Sequence, residues 1–183
     1  MMIMKKILTL YLVFIFVSFI GFVYETLLAI ILQFDDLDRG FLTLPLCPIY
    51  GMGVILTYLV FGLPYELRIF SYKILLNKKI KIYLYFVFSL VLATLLELVV
   101  GYSFEKIFNK ILWDYSSMSL SFNKYCSLIP SLCWGLAITI FMNNIFEKLY
   151  NKIYKIRLDI QTAISIFISI MITIDLLSII FKW

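Results

Sequence analysis

Five stretches of this chain, residues 7–32, 46–63, 82–102, 125–146 and 160–181, are long and apolar enough to cross a bilayer. A spanning helix needs roughly 20 mainly apolar residues. In hydrocarbon every backbone polar group must be satisfied within the chain, which leaves helices or closed barrels, and runs of this length select helices. The second run is the least regular, with Pro48 near its start and Gly51 and Gly53 inside it. Composition agrees, with 63% of the 183 residues hydrophobic and 15% charged, against about 25% charged in an average soluble domain. The expected fold class is all-α: a single polytopic membrane helix bundle over residues 1–183, with about five transmembrane helices. Lys5 and Lys6 before the first run also fit a signal peptide. That run, however, exceeds the roughly 7–15 apolar residues of a signal core, and no small-residue cleavage pattern follows it. It is expected to remain as a helix.

Lysines and arginines set the orientation, because they concentrate on the cytoplasmic side. Eleven lie in the amino-terminal tail and in the connections after the second and fourth runs, and five lie on the other side. The amino terminus is therefore expected inside and the carboxyl terminus outside. The net charge of +5 is then a topology signal, and no nucleic-acid partner is expected. The inner basic connections suit anionic lipid headgroups.

Glu25 and Glu97 sit within two of the runs, where an ionisable side chain costs about 2.5–3.5 kcal/mol on the mildest insertion scales. Such residues usually face a bundle interior or a wet cavity. Counted along outgoing helices, Glu25, Glu97 and Asp175 all fall in the outer part of the membrane, which suggests a polar pocket open to the outside. The first outer loop carries Arg39, a candidate to pair with Glu25 or Glu97 and hold it ionised. The second carries Trp113, Asp114 and Tyr115, then Phe122 and Asn123. These could cap a cavity or hold a ligand, or belong to the ordinary aromatic belt. For Asp175, on the last helix, a structural role is favoured.

The chain has no histidine, which excludes a Ser-His-Asp triad, a histidine metal site and a histidine proton relay. Cys126 and Cys133 are too far apart on one helix to bond each other, and Cys47 could pair with either across the outer boundary. Phosphate-loop, serine-elbow and zinc motifs are absent. No catalytic residue, metal site or cofactor is assigned, and an activity of its own is not expected.

An internal repeat is visible. Glu25 on an outgoing helix is followed by PLCPIYG (residues 45–51), and Glu97 by PSLCWG (residues 130–135). Each unit has two spans, so the units run parallel. The fifth helix stands outside them.

These residues also carry a family resemblance. The string RGFLTLPLCPIYGMG (residues 39–53), Tyr24-Glu25, Leu96-Glu97, WDYS (residues 113–116), Phe122-Asn123 and Trp134-Gly135 resemble the putative ABC-transporter type IV family. These are small bacterial membrane proteins, also called CmpB-type and formerly a domain of unknown function. The resemblance covers most of residues 22–139. Leu44 stands where the family commonly has a glycine, so the turn there is expected to differ. The resemblance implies a permease-like subunit, and it carries over Glu25, Arg39, Pro48, Tyr50, Gly51, Glu97, Trp113, Asp114, Asn123 and Trp134 as motif residues.

The leading expectation is a membrane transport protein, permease-like, in a bacterial cytoplasmic membrane. Glu25, Arg39, Tyr50, Glu97, Trp113, Asp114, Asn123 and Trp134 would form an outward-facing site for a small molecule or ion. An ATPase would come from another chain and dock on the basic connection over residues 65–81. Five spans make a small permease, so homo-oligomerisation is expected. Three alternatives stay open: a substrate-capture subunit like those of energy-coupling-factor importers, an acid-dependent membrane enzyme acting on lipid or wall precursors, and a structural or regulatory membrane protein.

Overall fold

The computed structural model describes residues 1–31 and 41–181. Six α-helices carry the chain: α1 (Met2–Ile31), α2 (Pro48–Phe61), α3 (Lys78–Phe108), α4 (Leu128–Asn144), α5 (Phe146–Tyr154) and α6 (Leu158–Phe181). Two antiparallel hairpins join them, β1 (Arg68–Ile69) with β2 (Tyr72–Lys73) and β3 (Ser121–Asn123) with β4 (Cys126–Ser127). Among the described residues four helices are individually long and apolar enough to span a membrane, and the spans number five if the bent pair α4–α5 counts as one. This is an all-α, multi-pass membrane helix bundle, as expected.

The fourth span departs from its expected limits of 125–146. It begins at Leu128 and bends by 51° between α4 and α5. No proline or glycine marks the break. Ile145 keeps its N–H bond to the Phe141 carbonyl, but its φ of −118° (ψ −44°) departs from the roughly −63° of a regular helix. Phe146 is almost wholly buried and lies 4.5 Å from the Tyr58 ring and 6.5 Å from Phe141, centroid to centroid. The bend thus turns a large apolar side chain inward. Beyond it, α5 places Phe146, Leu149, Tyr150 and Ile153 toward one face and Glu147, Lys148, Asn151 and Lys152 toward the other. That pattern suits a helix lying along a membrane surface.

The chain forms two compact units. One comprises Met1–Met52 and Lys148–Trp183. Here α1 buries Thr9, Val13, Val17, Ser18, Gly21 and Ala29, a stripe stepping mainly by four residues that winds slowly round the helix, since four residues overshoot one turn of 3.6. Along α6 the buried residues are Gln161, Ser165, Asp175 and Ile179. Gln161 is fully buried; its side-chain amide donates to the carbonyls of Ile153 (2.8 Å) and Ile156 (3.3 Å) and accepts from Thr9 Oγ1 (3.4 Å). It thereby ties the start of α6 to the carbonyl end of α5 and to α1. On α2, a Cβ at Gly51 would come within 2.6 Å of the Phe14 carbonyl oxygen, so only glycine permits that approach of α2 to α1. Leu42, Leu46 and Ile179 close an apolar cluster with Ile15, Ile172 and Leu176.

The other unit spans Gly53–Glu147 and is dominated by α3 against α4. Small or polar side chains line both helices: Ser89, Ala93, Glu97 and Gly101 on α3, and Ser131, Gly135 and Thr139 on α4. Membrane helices lack a hydrophobic drive toward each other, and close packing of small residues replaces it. A Cβ at Gly135 would lie 2.8 Å from Leu90 Cβ and 3.0 Å from its Cα, so α4 approaches the α3 backbone directly. Tyr85, fully buried, donates from its hydroxyl to the Gly62 carbonyl at 2.9 Å.

Candidate functional site

Each intramembrane acid has a partner close at hand. In the first unit, Glu25 lies on the same α1 stripe, four residues after Gly21, and is half-buried. Its carboxylate accepts a hydrogen bond from the Tyr50 hydroxyl, in the first turn of α2. The Tyr50 ring rests on Gly21, where any Cβ would collide with it, and Tyr24 meets the same ring edge-on at 6.1 Å. A glycine one turn below the carboxylate therefore seats the tyrosine that holds it. Asp175 is 94% buried; Thr43 Oγ1 donates to one of its oxygens and the Leu44 N–H to the other, at 3.1 Å. The structural role expected for Asp175 is visible as an anchor for residues 43–44. Arg39 lies outside the described residues.

In the second unit Glu97 is 3% exposed and accepts from the Tyr115 hydroxyl at 3.1 Å. Tyr115 belongs to a cap folded at the end of α3. Its N–H donates to the Lys124 carbonyl at 2.9 Å, and Trp113 Nε1 donates to the Tyr125 carbonyl at 2.9 Å. Asp114 accepts the Ser116 N–H at 2.7 Å, while Asn123 Oδ1 accepts from the N–H groups of Tyr125 (2.8 Å) and Cys126 (3.0 Å). These last two are side-chain turns that fix the backbone locally. The hydrogen bonds to Ser116 hold the Asp114 carboxyl below its usual range. Trp113, Asp114 and Asn123 thus build the cap, with their polar groups turned onto its own backbone. Trp134 is half-buried on α4, one residue before the Gly135 contact. Cys47 and Cys126 are buried and Cys133 is exposed.

The cap also forms a site that sequence reasoning missed. Glu105, in the last turns of α3, receives Lys124 Nζ on one oxygen at 2.6 Å and the Tyr125 hydroxyl on the other at 2.7 Å. The Lys124 ammonium also stands 5.2 Å from the Tyr125 ring centroid. Glu105 keeps Lys124 charged above the usual lysine range. Beneath this group lies Gly101, where a Cβ would be 2.8 Å from Tyr125 Cδ1. The arrangement is that of Gly21, Glu25 and Tyr50: a tyrosine ring on a glycine, its hydroxyl on the glutamate one turn later. The sequence carries the signal as GFVYE (residues 21–25) and GYSFE (residues 101–105). Local contacts therefore make Glu105, rather than Glu97, the counterpart of Glu25. Two open grooves, of about 740 and 520 Å³, run beside α6 rather than around Glu25.

The family's sequence profile, described as Putative ABC-transporter type IV, matches residues 12–180. The chain belongs to this family. The match takes in α6, beyond the 22–139 that the motifs alone suggested. No curated protein and no solved structure matches the chain. Membership in a transporter-related family and several apolar spans together identify a multi-pass membrane protein associated with transport.

Proposed function

We propose that this protein is a permease-like subunit of a bacterial cytoplasmic-membrane transport system, with its amino terminus inside and its ATPase on a separate chain. Glu25 is the residue at which substrate or a coupling ion binds. The observation that carries this reading is the contrast between the two glutamates first singled out within the spans. Glu97 is sealed under the Tyr115 cap, whereas Glu25 is only half-buried and held from one side by Tyr50. A carboxylate kept in an apolar span yet left reachable has a use beyond packing, since interhelical polar contacts average only about 0.6 kcal/mol. Tyr50 orients it, Arg39 tunes its charge, and Trp113, Asp114, Asn123 and Trp134 shape the outer surface around Glu97. The inner connection with the β1–β2 hairpin exposes Phe70, Tyr72 and Leu75 beside Lys73, Lys78 and Lys79, and supplies the ATPase docking surface.

Purification in mild detergent followed by native mass spectrometry tests this. An ATPase chain should co-purify and be lost on Phe70→Asp with Leu75→Asp, while Glu25→Gln should abolish substrate-stimulated ATP hydrolysis and leave the complex intact. No ATPase partner, together with a silent Glu25→Gln in a folded protein, would overturn the reading.

A further inference from the structure

The two open grooves beside α6 join into one furrow along its seam with α1. Met4 and Thr162 wall the first, Ile7, Ile170 and Ile174 wall the second, and Ile166 lines both. From Leu158 to Ile174 the furrow extends for about 24 Å at 1.5 Å per residue. That exceeds one leaflet, half of a hydrocarbon core about 30 Å thick. Its isoleucines are exposed. The Tyr11 and Ser169 hydroxyls bond each other at 2.8 Å, and Thr173 donates to the Ser169 carbonyl at 2.8 Å, so these hydroxyls need nothing from an occupant.

One end of the furrow is basic. Arg157 lines the same groove as Met4. Lys5, next to Met4, holds its ammonium 4.8 Å from the Tyr154 ring centroid, which brings the start of α1 against the end of α5. Residues 1–6 and 148–159 together carry six basic side chains and one acidic, Asp159. Arg157 Nη2 donates to Asp159 at 2.7 Å, and both side chains are largely exposed. A guanidinium has five N–H donors, so this pair leaves most of the fork for another anion.

We infer that the furrow binds one anionic phospholipid, its phosphate at Arg157 and Lys5 and an acyl chain along the isoleucine wall. Charge and shape select that occupant together. An arginine–phosphate contact is charge-assisted and can be bidentate, and basic pockets between membrane helices recognise anionic headgroups. A second copy seated here by a twofold axis would set the same patch of each chain against the other, six basic residues facing six. A lipid without net charge would fill the wall and leave the basic end uncompensated.

The test is native mass spectrometry of the full chain, delipidated in detergent at fixed ionic strength and titrated with dioleoyl phosphatidylglycerol or dioleoyl phosphatidylcholine. The first phosphatidylglycerol should bind more tightly than phosphatidylcholine. Each basic residue near a headgroup favours an anionic lipid by about five-fold, so Arg157→Gln with Lys5→Gln should cut the preference by on the order of ten-fold. Lys78→Gln with Lys79→Gln, an equal loss of charge on the other basic connection, should leave it in place. Ile166→Trp, at the exposed position where the grooves meet, should weaken both lipids and keep the preference. Inorganic phosphate and chain-free glycerophosphoglycerol should not displace the lipid. Equal binding of the two lipids, or a preference that survives Arg157→Gln with Lys5→Gln, overturns the inference. So does an equal fall in Lys78→Gln with Lys79→Gln, which would make net charge the cause, or displacement by phosphate, which would make the site one for a free anion. Lipid binding unmoved by Ile166→Trp would remove the furrow from it. A dimer of the delipidated wild type that Ile166→Trp dissociates would make a second copy the occupant and sink the lipid assignment.

Discussion

At the scale of single residues, two glycines do work that their neighbours in the sequence obscure. Gly21 and Gly101 each support a tyrosine ring, so a methyl group at either must displace it. Gly101→Ala should lower stability by about 1–3 kcal/mol, the usual cost of overpacking, seen as a lower thermal midpoint in detergent. It should also release Tyr125 from Glu105, readable as a change in tyrosine fluorescence. Gly21→Ala should act in the same way on Tyr50 and, in addition, change binding at Glu25. The Lys124–Glu105 pair makes a pH prediction. A lysine whose folded pKa is raised contributes stability that is fully present below its unfolded value and is lost as pH rises through the folded one. The usual value is 10.5 and Glu105 raises it, so the melting difference between wild type and Lys124→Met should persist through neutral pH and close only above pH 10.5. Both partners are partly exposed, so the difference should be small and should shrink with salt.

At the scale of elements, polar seams decide which helix faces turn inward. An apolar helix in lipid has no hydrophobic reason to prefer one face, so Thr9, Gln161, Ser165 and Asp175 give α1 and α6 their inner sides. Gln161→Leu keeps the volume but removes the side-chain donor from the Ile153 and Ile156 carbonyls, of which Ile153 retains the Ile156 N–H. It should cost about 1–3 kcal/mol, the penalty for stranding buried acceptors, and loosen α5 first, which hydrogen exchange of residues 146–156 would register. Spans and their order were legible in the sequence because length and apolarity suffice for them. The α4–α5 break was not, because Phe146 causes it by packing on Tyr58 and Phe141, a tertiary fact with no proline or glycine to announce it. Glu25 and Glu97 stand out as acids among apolar residues, whereas Glu105 sits beside Lys106 near a helix end, where charged side chains are ordinary. Trp113, Asp114 and Asn123 were legible as important but not in role, since their hydrogen bonds run to backbone atoms that no sequence pattern names.

At the scale of the whole molecule, family membership and helix content agree on a multi-pass protein associated with transport. The duplicated seat adds an internal comparison to that assignment. Its two copies lie in different compact units, on α1 with α2 and on α3 with the β3–β4 turn. In one, the cation is part of the chain. Altering Lys124 should therefore leave Glu25-dependent behaviour unchanged.

The bend after α4 has a consequence for the surrounding lipid. With 17 residues, α4 is about 25 Å long, while its neighbour α3, with 31 residues, reaches about 46 Å at 1.5 Å per residue. A typical hydrocarbon core is about 30 Å thick, so one helix of the pair falls short of it and the other overshoots. The bilayer beside α4 must thin, or α3 must tilt, and either carries an elastic cost that varies with acyl-chain length. Reconstitution into a series of vesicles of increasing chain length should therefore reveal an optimum on the thin side, with stability declining as the membrane thickens.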